Sequence, residues 1–177
     1  MPVMSKGTFS VTTPIYYINA APHLGTAYTT VAADTICRYE RMNGYDVALV
    51  TGTDEHGQKI AETAEKNGMT PQAWCDSLAP AFTEAWELLD IDYTDFVRTT
   101  EDRQTRTVQD FWQGLYDAGW LYKGAYEGWY CVHEETYYAE SDLENCHPPG
   151  WARLFSPCPP GNMPKKHRAL PKLGFRF

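Results

Sequence analysis

Two short clusters carry the side chains that chemistry on a phosphate or a small zwitterion needs. In Pro22-His23-Leu24-Gly25-Thr26, an imidazole and a glycine fall where a helix is expected to begin. The unpaired N–H groups and dipole of such an end attract phosphate, and glycine lets a ligand approach the backbone. His23 offers a donor to phosphate oxygens. The second cluster, Thr51-Gly-Thr-Asp-Glu-His-Gly57, gathers polar side chains and two glycines after an apolar run, and Asp54 has the charge to hold an ammonium group. Taken singly, each has a plainer reading: a capped helix with an incidental histidine, and a polar turn in which Asp54 caps the next helix. Position favours the nucleotide site. Both clusters fall at the carboxyl ends of neighbouring expected strands, the edge at which open α/β sheets bind ligands.

The elements that must hold them follow from periodicity. Residues 9–15 read as a strand, β-branched and ended by Pro14 and the turn at residues 19–22. A helix is expected over residues 24–42, with Leu24, Tyr28, Val31, Ile36 and Tyr39 at helical spacing as its core face and Asn43-Gly44 as its stop. Residues 47–51 form a continuous apolar run, the mark of a buried parallel strand. Helices follow over residues 56–66 and from Pro71, capped by Thr70, with Trp74, Leu78, Phe82, Ala85 and Leu89 on one face. A strand over residues 93–98 leads to a helix opened by Thr100-Glu101-Asp102, with Val108, Phe111, Trp112, Leu115 and Tyr116 as its stripe and Gly119 as its end. Residues 120–138, dense in aromatics and glycine, suit short strands or a hairpin. The fold class is α/β, built from βαβ units.

Composition sets the outer bounds. The chain has 177 residues, 43% apolar and 21% charged, enough to form a packed core. Its net charge of −8 is uneven: 9 basic and 23 acidic side chains lie through Glu144, and 6 basic and no acidic ones follow. Seven of the twelve prolines lie in that last stretch, so residues 147–177 read as an irregular basic tail. Met163-Pro-Lys-Lys166 reads as part of it. The acidic body argues against indiscriminate nucleic-acid binding. No run approaches a membrane span, and the amino end lacks the apolar core of a signal peptide. Five scattered cysteines fit reduced thiols in the cytoplasm better than a disulfide framework.

Several motifs, in order, carry a resemblance. Thr12-Thr-Pro-Ile-Tyr-Tyr-Ile-Asn-Ala-Ala-Pro-His-Leu-Gly-Thr26, Ala33-Asp34, Thr51-Gly-Thr-Asp-Glu-His-Gly-Gln-Lys59, Asp95-Phe-Val-Arg-Thr-Thr100 and Tyr126-Glu-Gly-Trp-Tyr-Cys131 resemble the start of methionyl-tRNA synthetase, a class I aminoacyl-tRNA synthetase. The resemblance covers roughly residues 8–146. It implies ATP-dependent activation of methionine to methionyl-adenylate and transfer to tRNA(Met), with ATP and its Mg2+ as substrate. His23, Gly25 and Thr26 match the family's His-x-Gly-His signature, with Thr26 in place of the second histidine. By this resemblance His23 and Thr26 are the catalytic positions and His23, Gly25 and Thr26 contact ATP. Ile15 and Tyr17, with Pro14 beside them, match the methionine pocket, and Asp54 matches the carboxylate that holds methionine's ammonium.

The resemblance also implies a five-stranded sheet of order 3-2-1-4-5 interrupted by a connective insertion. On that frame residues 1–118 are the amino-terminal half of a Rossmann-type doubly wound sheet, 119–146 the start of the insertion and 147–177 the tail. Many family members bind zinc in the insertion. Here Cys131 and Cys146 lack the paired-cysteine spacing, so zinc is not expected, the alternative being a site rescued from Cys131, His133, Cys146 and Cys158. The family's second signature, Lys-Met-Ser-Lys-Ser, has no counterpart. The chain is therefore expected to be marginally folded and inactive alone, and to associate with a separate carboxyl-terminal half where one exists. The abrupt change after Cys146 suits an out-of-frame reading or a misjoined model of the gene. Two rivals stay open: another class I synthetase or His-x-Gly nucleotidyltransferase, and a non-catalytic fragment that binds methionine, tRNA or a synthetase.

Overall fold

The computed structural model describes residues 5–124, 127–131, 136–138, 165–168 and 172–175. The chain divides into two compact units, Met1–Val108 and Gln109–Phe177. The first holds β1 (Thr8–Thr12), β2 (Tyr16–Tyr17), α1 (Leu24–Met42), β3 (Asp46–Asp54), α2 (Gln58–Lys66), α3 (Pro71–Leu88) and β4 (Asp95–Arg98). α4 (Asp102–Asp117) spans the division. The alternation of strand and helix gives the parallel α/β sheet that the sequence predicts.

Register fixes the order of the strands. Val50 of β3 pairs with Thr12 on one side and Asp95 on the other, and Thr53 pairs with Tyr16 and Arg98 in the same way. β1 and β2 therefore run along one edge of β3, with β4 on the opposite edge, all parallel. From Thr12 to Tyr16 the chain advances four residues while β3 advances three, Val50 to Thr53, so residues 13–15 form a bulge. Pro14, which has no N–H to give the ladder, sits in it. The expected single strand over residues 9–15 is thus a strand, a bulge and a second short strand.

Both crossovers, β1–α1–β3 and β3–α2–α3–β4, step in the same direction. Right-handed connections then place α1 and α3 on one face of the sheet. That face holds the core: Ile18, Ala33, Cys37, Leu49, Ile60, Phe82 and Trp86 form one buried cluster. Tyr16 lies against it, its ring 6.5 Å from Phe82 and 6.0 Å from Trp86. Thr70 caps α3 as its sequence implies, its hydroxyl accepting from Ala73 N at 3.2 Å. Gly119, at φ +77°, takes the left-handed turn that closes α4.

The apolar stripe expected to face the core from α1 does the reverse. Leu24, Tyr28, Val31, Ile36 and Tyr39 are all exposed, and Thr26, Thr30, Ala33, Asp34 and Cys37 face inward. These inner residues are small or carry polar groups satisfied locally. Thr30 Oγ1 bonds Thr26 O and Tyr16 Oη, and Asp34 accepts from Arg38 Nε at 2.6 Å and Asp92 N at 3.1 Å. The helix has two periodic faces, and hydrophobicity marks the outer one. On α4, too, the apolar side chains Val108, Phe111 and Tyr116 are exposed.

The second unit contains β5 (Leu121–Gly124), β6 (Glu127–Cys131), β7 (Thr136–Tyr138), β8 (Lys165–Arg168) and β9 (Lys172–Phe175). β6 pairs antiparallel with β7, the expected hairpin, and with β8, while β5 pairs antiparallel with β9. β8 and β9 correct the expectation of a tail without regular structure. Their sequences avoid the prolines, which lie at 164 and 171, and ladder pairing on an open edge needs no hydrophobic period.

One glycine fixes the sheet. A Cβ on Gly52 would stand 1.9 Å from the backbone oxygen of Val97, so β3 and β4 meet at this spacing only because position 52 has no side chain. Gly52→Ala should leave most of the chain insoluble or without a cooperative urea transition. Gly114→Ala on α4, where a Cβ meets nothing within 4 Å, should raise stability by about 1 kcal/mol through helix propensity. Equal urea midpoints for the two variants would contradict this.

Candidate active site

The bulge, β2 and the start of α1 enclose a cavity of about 360 Å³, lined by Ile15, Tyr16, Tyr17, Asn19, Ala20, Ala21, His23, Gly25, Thr26 and Phe82. Five sequence-predicted site residues meet there: Ile15, Tyr17, His23, Gly25 and Thr26. Ile15 and Tyr17 are 47% and 41% exposed, a large apolar surface for residues on a sheet. The bulge accounts for this: Thr13 N still bonds Val50 O at 3.0 Å, and the one-residue slip that follows at residues 14–15 reverses the alternation, so that Tyr16 packs inward and Ile15 and Tyr17 point out. Pro14 is exposed beside the cavity and Asp54 is half-buried, and neither lines it. Asp54 lies one strand away, in register with Tyr17.

His23 is the N-cap of α1. Its Nδ1 accepts from Gly25 N at 3.1 Å and from Thr26 N at 3.4 Å, taking the place usually held by a serine or aspartate oxygen. An Nδ1 that accepts carries no proton, so in the neutral ring the proton sits on Nε2, which is left as a donor. Gly25 permits this arrangement: a Cβ there would lie 3.0 Å from the imidazole Cε1. Thr26 is buried behind the cap.

The second cluster divides its labour differently from the sequence reading. Thr51 and Thr53 are buried and bonded within the fold: Thr13 Oγ1 donates to Thr51 Oγ1 at 2.7 Å, and Thr53 Oγ1 to Glu55 Oε1 at 2.7 Å. Asp54 Oδ1 accepts from His56 N at 3.3 Å, an Asx turn that leads toward α2. Lys59, in the first turn of α2, places its ammonium 5.8 Å from the centre of the Tyr17 ring.

Glu55, to which the sequence reading gave no role, is the centre of this region. Its side chain is fully buried. Oε1 accepts from Arg98 Nε at 2.6 Å as well as from Thr53, and Oε2 accepts from Arg98 Nη2 at 3.0 Å and Thr100 Oγ1 at 2.5 Å. Arg98 Nη2 reaches Asp76 on α3 at 2.6 Å, and Glu55 N donates to Thr99 Oγ1. Burial alone would raise the Glu55 pKa, but the hydrogen bonds from Arg98, Thr100 and Thr53 outweigh it and hold the carboxyl below its ordinary value. The Arg98 guanidinium is held further into its charged form by the same bonds. The only signal in the sequence is an acid and an arginine at the ends of two neighbouring strands, each with a threonine within two residues.

Cys37 and Cys75 are buried and free, and burial pushes the Cys75 thiol up to about 11. Among the described residues no group of three or more His, Cys, Asp or Glu side chains is arranged to hold a metal ion. His133, Cys146 and Cys158 lie outside the described residues, as does the side chain of Cys131. Among the described residues no helix is long and apolar enough to cross a membrane.

A parallel α/β sheet with a capped helix at its carboxyl edge is a common frame, so similarity to known proteins narrows it. The profile of the family described as tRNA synthetases class I (M) matches residues 9–151. The chain belongs to the methionyl-tRNA synthetases of class I. It is 57% identical over 136 residues to the methionine–tRNA ligase of Streptomyces coelicolor, a stretch that is 76% of this chain and 25% of that protein. It is 52% identical over 138 residues to that of Fusobacterium nucleatum, 78% of this chain and 22% of the other. A Mycobacterium tuberculosis methionyl-tRNA synthetase, solved in complex with methionyl-adenylate, superposes with a TM-score of 0.74 at 38% identity, over 80% of this chain and 27% of that one. The chain thus spans about a quarter of the length of the methionyl-tRNA synthetases it matches.

The Glu55–Arg98 pair of this methionyl-tRNA synthetase fold gives a test. Arg98→Met leaves a buried carboxylate without its counter-ion and should cost roughly 3–5 kcal/mol in urea unfolding. Glu55→Gln, which keeps the shape, should cost less at neutral pH. Because the folded pKa of Glu55 is depressed, its contribution is complete above the unfolded value near 4.5 and is lost as pH falls through the lower folded value. The stability gap between wild type and Glu55→Gln should therefore shrink on acidification below that window. A gap that stays constant to pH 3 would contradict the depressed pKa.

Proposed function

We propose that this chain forms the methionine- and ATP-facing amino-terminal part of a methionine–tRNA ligase. In that reaction a carboxylate oxygen of methionine bonds to the α-phosphorus of ATP and pyrophosphate leaves, giving methionyl-adenylate. A hydroxyl of tRNA(Met) then attacks the methionyl carbonyl, the bond to the adenylate phosphate breaks, and AMP leaves. The observation that carries the reading is the cap of α1: His23 lines the cavity while its Nδ1 is committed to the helix, so its Nε2 remains to donate to an α-phosphate oxygen. Charge that builds on those oxygens in the transition state is what such a donor stabilises.

The other positions have chemistry suited to their roles. Ile15 and Tyr17, turned out by the bulge, supply apolar contact for a thioether side chain, with Pro14 at the rim. Asp54 supplies the negative charge for methionine's ammonium, set by the pairing of β3 with β2. Thr26 offers a hydroxyl donor in place of a second imidazole, without positive charge. Mg2+ accompanies ATP as part of the substrate. The methionyl-adenylate held by the Mycobacterium tuberculosis relative supports this assignment of the cavity.

Activity is expected to need more polypeptide than this chain contains. The purified chain should show no methionine-dependent ATP–pyrophosphate exchange above a blank. A chimera in which this chain replaces the matched stretch of the Streptomyces coelicolor ligase should show exchange. In that chimera His23→Ala should lower kcat by about 10²–10³ with little change in the methionine KM, the loss expected for one transition-state donor. Asp54→Asn should instead raise the methionine KM. Exchange that survives His23→Ala at wild-type rate would sink the assignment.

A further inference from the structure

Three successive residues near the start of α3 reach the carboxyl edge of the sheet. The Trp74 indole Nε1 donates to Ile18 O at 3.0 Å, Cys75 Sγ donates to Glu55 O at 3.9 Å, and Asp76 accepts from Arg98 Nη2 at 2.6 Å. Their place on the helix is set locally. Thr70 caps α3, Pro71 opens it, and Trp74 N donates to Thr70 O at 2.9 Å, so Trp74 stands at a fixed distance from the helix start. By sequence Trp74 belongs to the apolar face of α3, and its side chain packs against the core cluster. Packing alone does not require the indole N–H to find a partner. Trp86, fully buried in the same core, leaves its own Nε1 without one among the described residues.

The acceptor of the Trp74 bond lies in the middle of the cavity wall. Ile18 follows β2 and is fully buried, and its backbone is held on both sides: its N–H donates to Asp54 O at 3.3 Å and its C=O accepts from Trp74. Tyr17 before it and Asn19, Ala20 and Ala21 after it all line the cavity. A backbone fixed at Ile18 therefore decides where the Tyr17 ring and the Asn19 side chain stand. The Tyr17 ring has a second support from α2, the Lys59 ammonium 5.8 Å from its centre. Both supports come from the crossover that joins β3 to β4, and neither side chain lines the cavity itself.

We infer that Trp74 and Lys59 are positioning residues for methionine. Trp74 acts through Ile18 O and Lys59 through the Tyr17 ring, and together they hold the Tyr17–Asn19 wall in the shape that accepts the amino acid. The inference rests on the reading of the cavity as a methionine site and adds to it the groups that set its affinity. Loss of the indole N–H takes a donor from Ile18 O, and the wall must shift or admit water to replace it. The effect falls on methionine affinity rather than turnover, because His23 is placed separately by the cap of α1.

Two measurements test this. In the full chain, hydrogen–deuterium exchange read by mass spectrometry follows the peptide over residues 16–21. Trp74→Phe keeps an aromatic ring and drops the donor, so exchange there should rise at least about tenfold while β1 is unchanged. In the Streptomyces coelicolor chimera the same variant should raise the methionine KM about tenfold, with kcat and the ATP KM within about twofold of wild type. Lys59→Met keeps the stem and drops the charge. It should raise the methionine KM roughly two- to fivefold and leave the urea midpoint unchanged. Ile91→Val, a core change that does not touch the cavity lining, should lower the urea midpoint and leave the methionine KM unchanged. An unchanged methionine KM in either Trp74→Phe or Lys59→Met would remove that residue from the inference, and in both would overturn it. A rise in Ile91→Val as large as in Trp74→Phe would also overturn it, because the effect would then be lost stability. A chimera that exchanges pyrophosphate while neither variant moves the methionine KM refutes the positioning alone. One without methionine-dependent exchange refutes the methionine reading of the cavity, and this inference with it.

Discussion

A carboxylate buried without solvent is tolerated only when every lone pair finds a donor, and Glu55 meets that demand from three elements at once. Its partners come from β3 itself, from β4 through Arg98 and from the turn after β4 through Thr100, and Arg98 passes the link on to Asp76 of α3. The carboxyl end of the sheet is therefore tied where a ligand-binding edge needs rigidity. Hydrophobic packing alone would hold the strands together but would leave the loop after β3 free to shift. The pair fixes that loop, and with it the direction in which Asp54 leaves β3.

The bulge at residues 13–15 is the complementary constraint. A strand that stayed in register with β3 would alternate its side chains between the core and the opposite face. By slipping one residue, the chain keeps Tyr16 inward, against Phe82 and Trp86, and turns Ile15 and Tyr17 toward the cavity. The hydroxyl bond between Thr13 and Thr51 closes the gap behind the slip. Pro14 suits such a position because it has no N–H to leave unpaired. The cavity thus exists because one edge strand is broken, and the glycine at position 52 lets the neighbouring pair stay close while it is.

Legibility in the sequence divides along physical lines. The spans of α1 and α3 and the order of strands and helices were readable, because caps, stops and apolar runs are local signals: Thr70-Pro71 opens α3 and Asn43-Gly44 closes α1 where expected. The cluster at residues 22–26 was readable for the same reason. Orientation was not. The inner face of α1 is made of Thr26, Thr30, Ala33, Asp34 and Cys37, whose burial depends on partners distant in sequence, such as Tyr16 and Asp92. Glu55 was missed on the same ground, since its role depends on an arginine more than forty residues away. Strands β8 and β9 escaped because a ladder made on another strand's edge leaves no hydrophobic period.

These two kinds of failure share a cause that bears on how the site works. Small and hydroxylated residues on the inner face of α1 let the helix lie close to the sheet, so that its first turn, with His23 as the cap, comes directly to the end of β2. Bulky residues there would lift the helix and draw the imidazole away from Ile15 and Tyr17. The large apolar side chains are then left exposed on the outer face. A helix whose small inner face brings its N-terminus to the end of β2 in this way leaves its most hydrophobic face exposed. The placement of His23 and the exposure of that face follow from one distribution of side-chain sizes around α1.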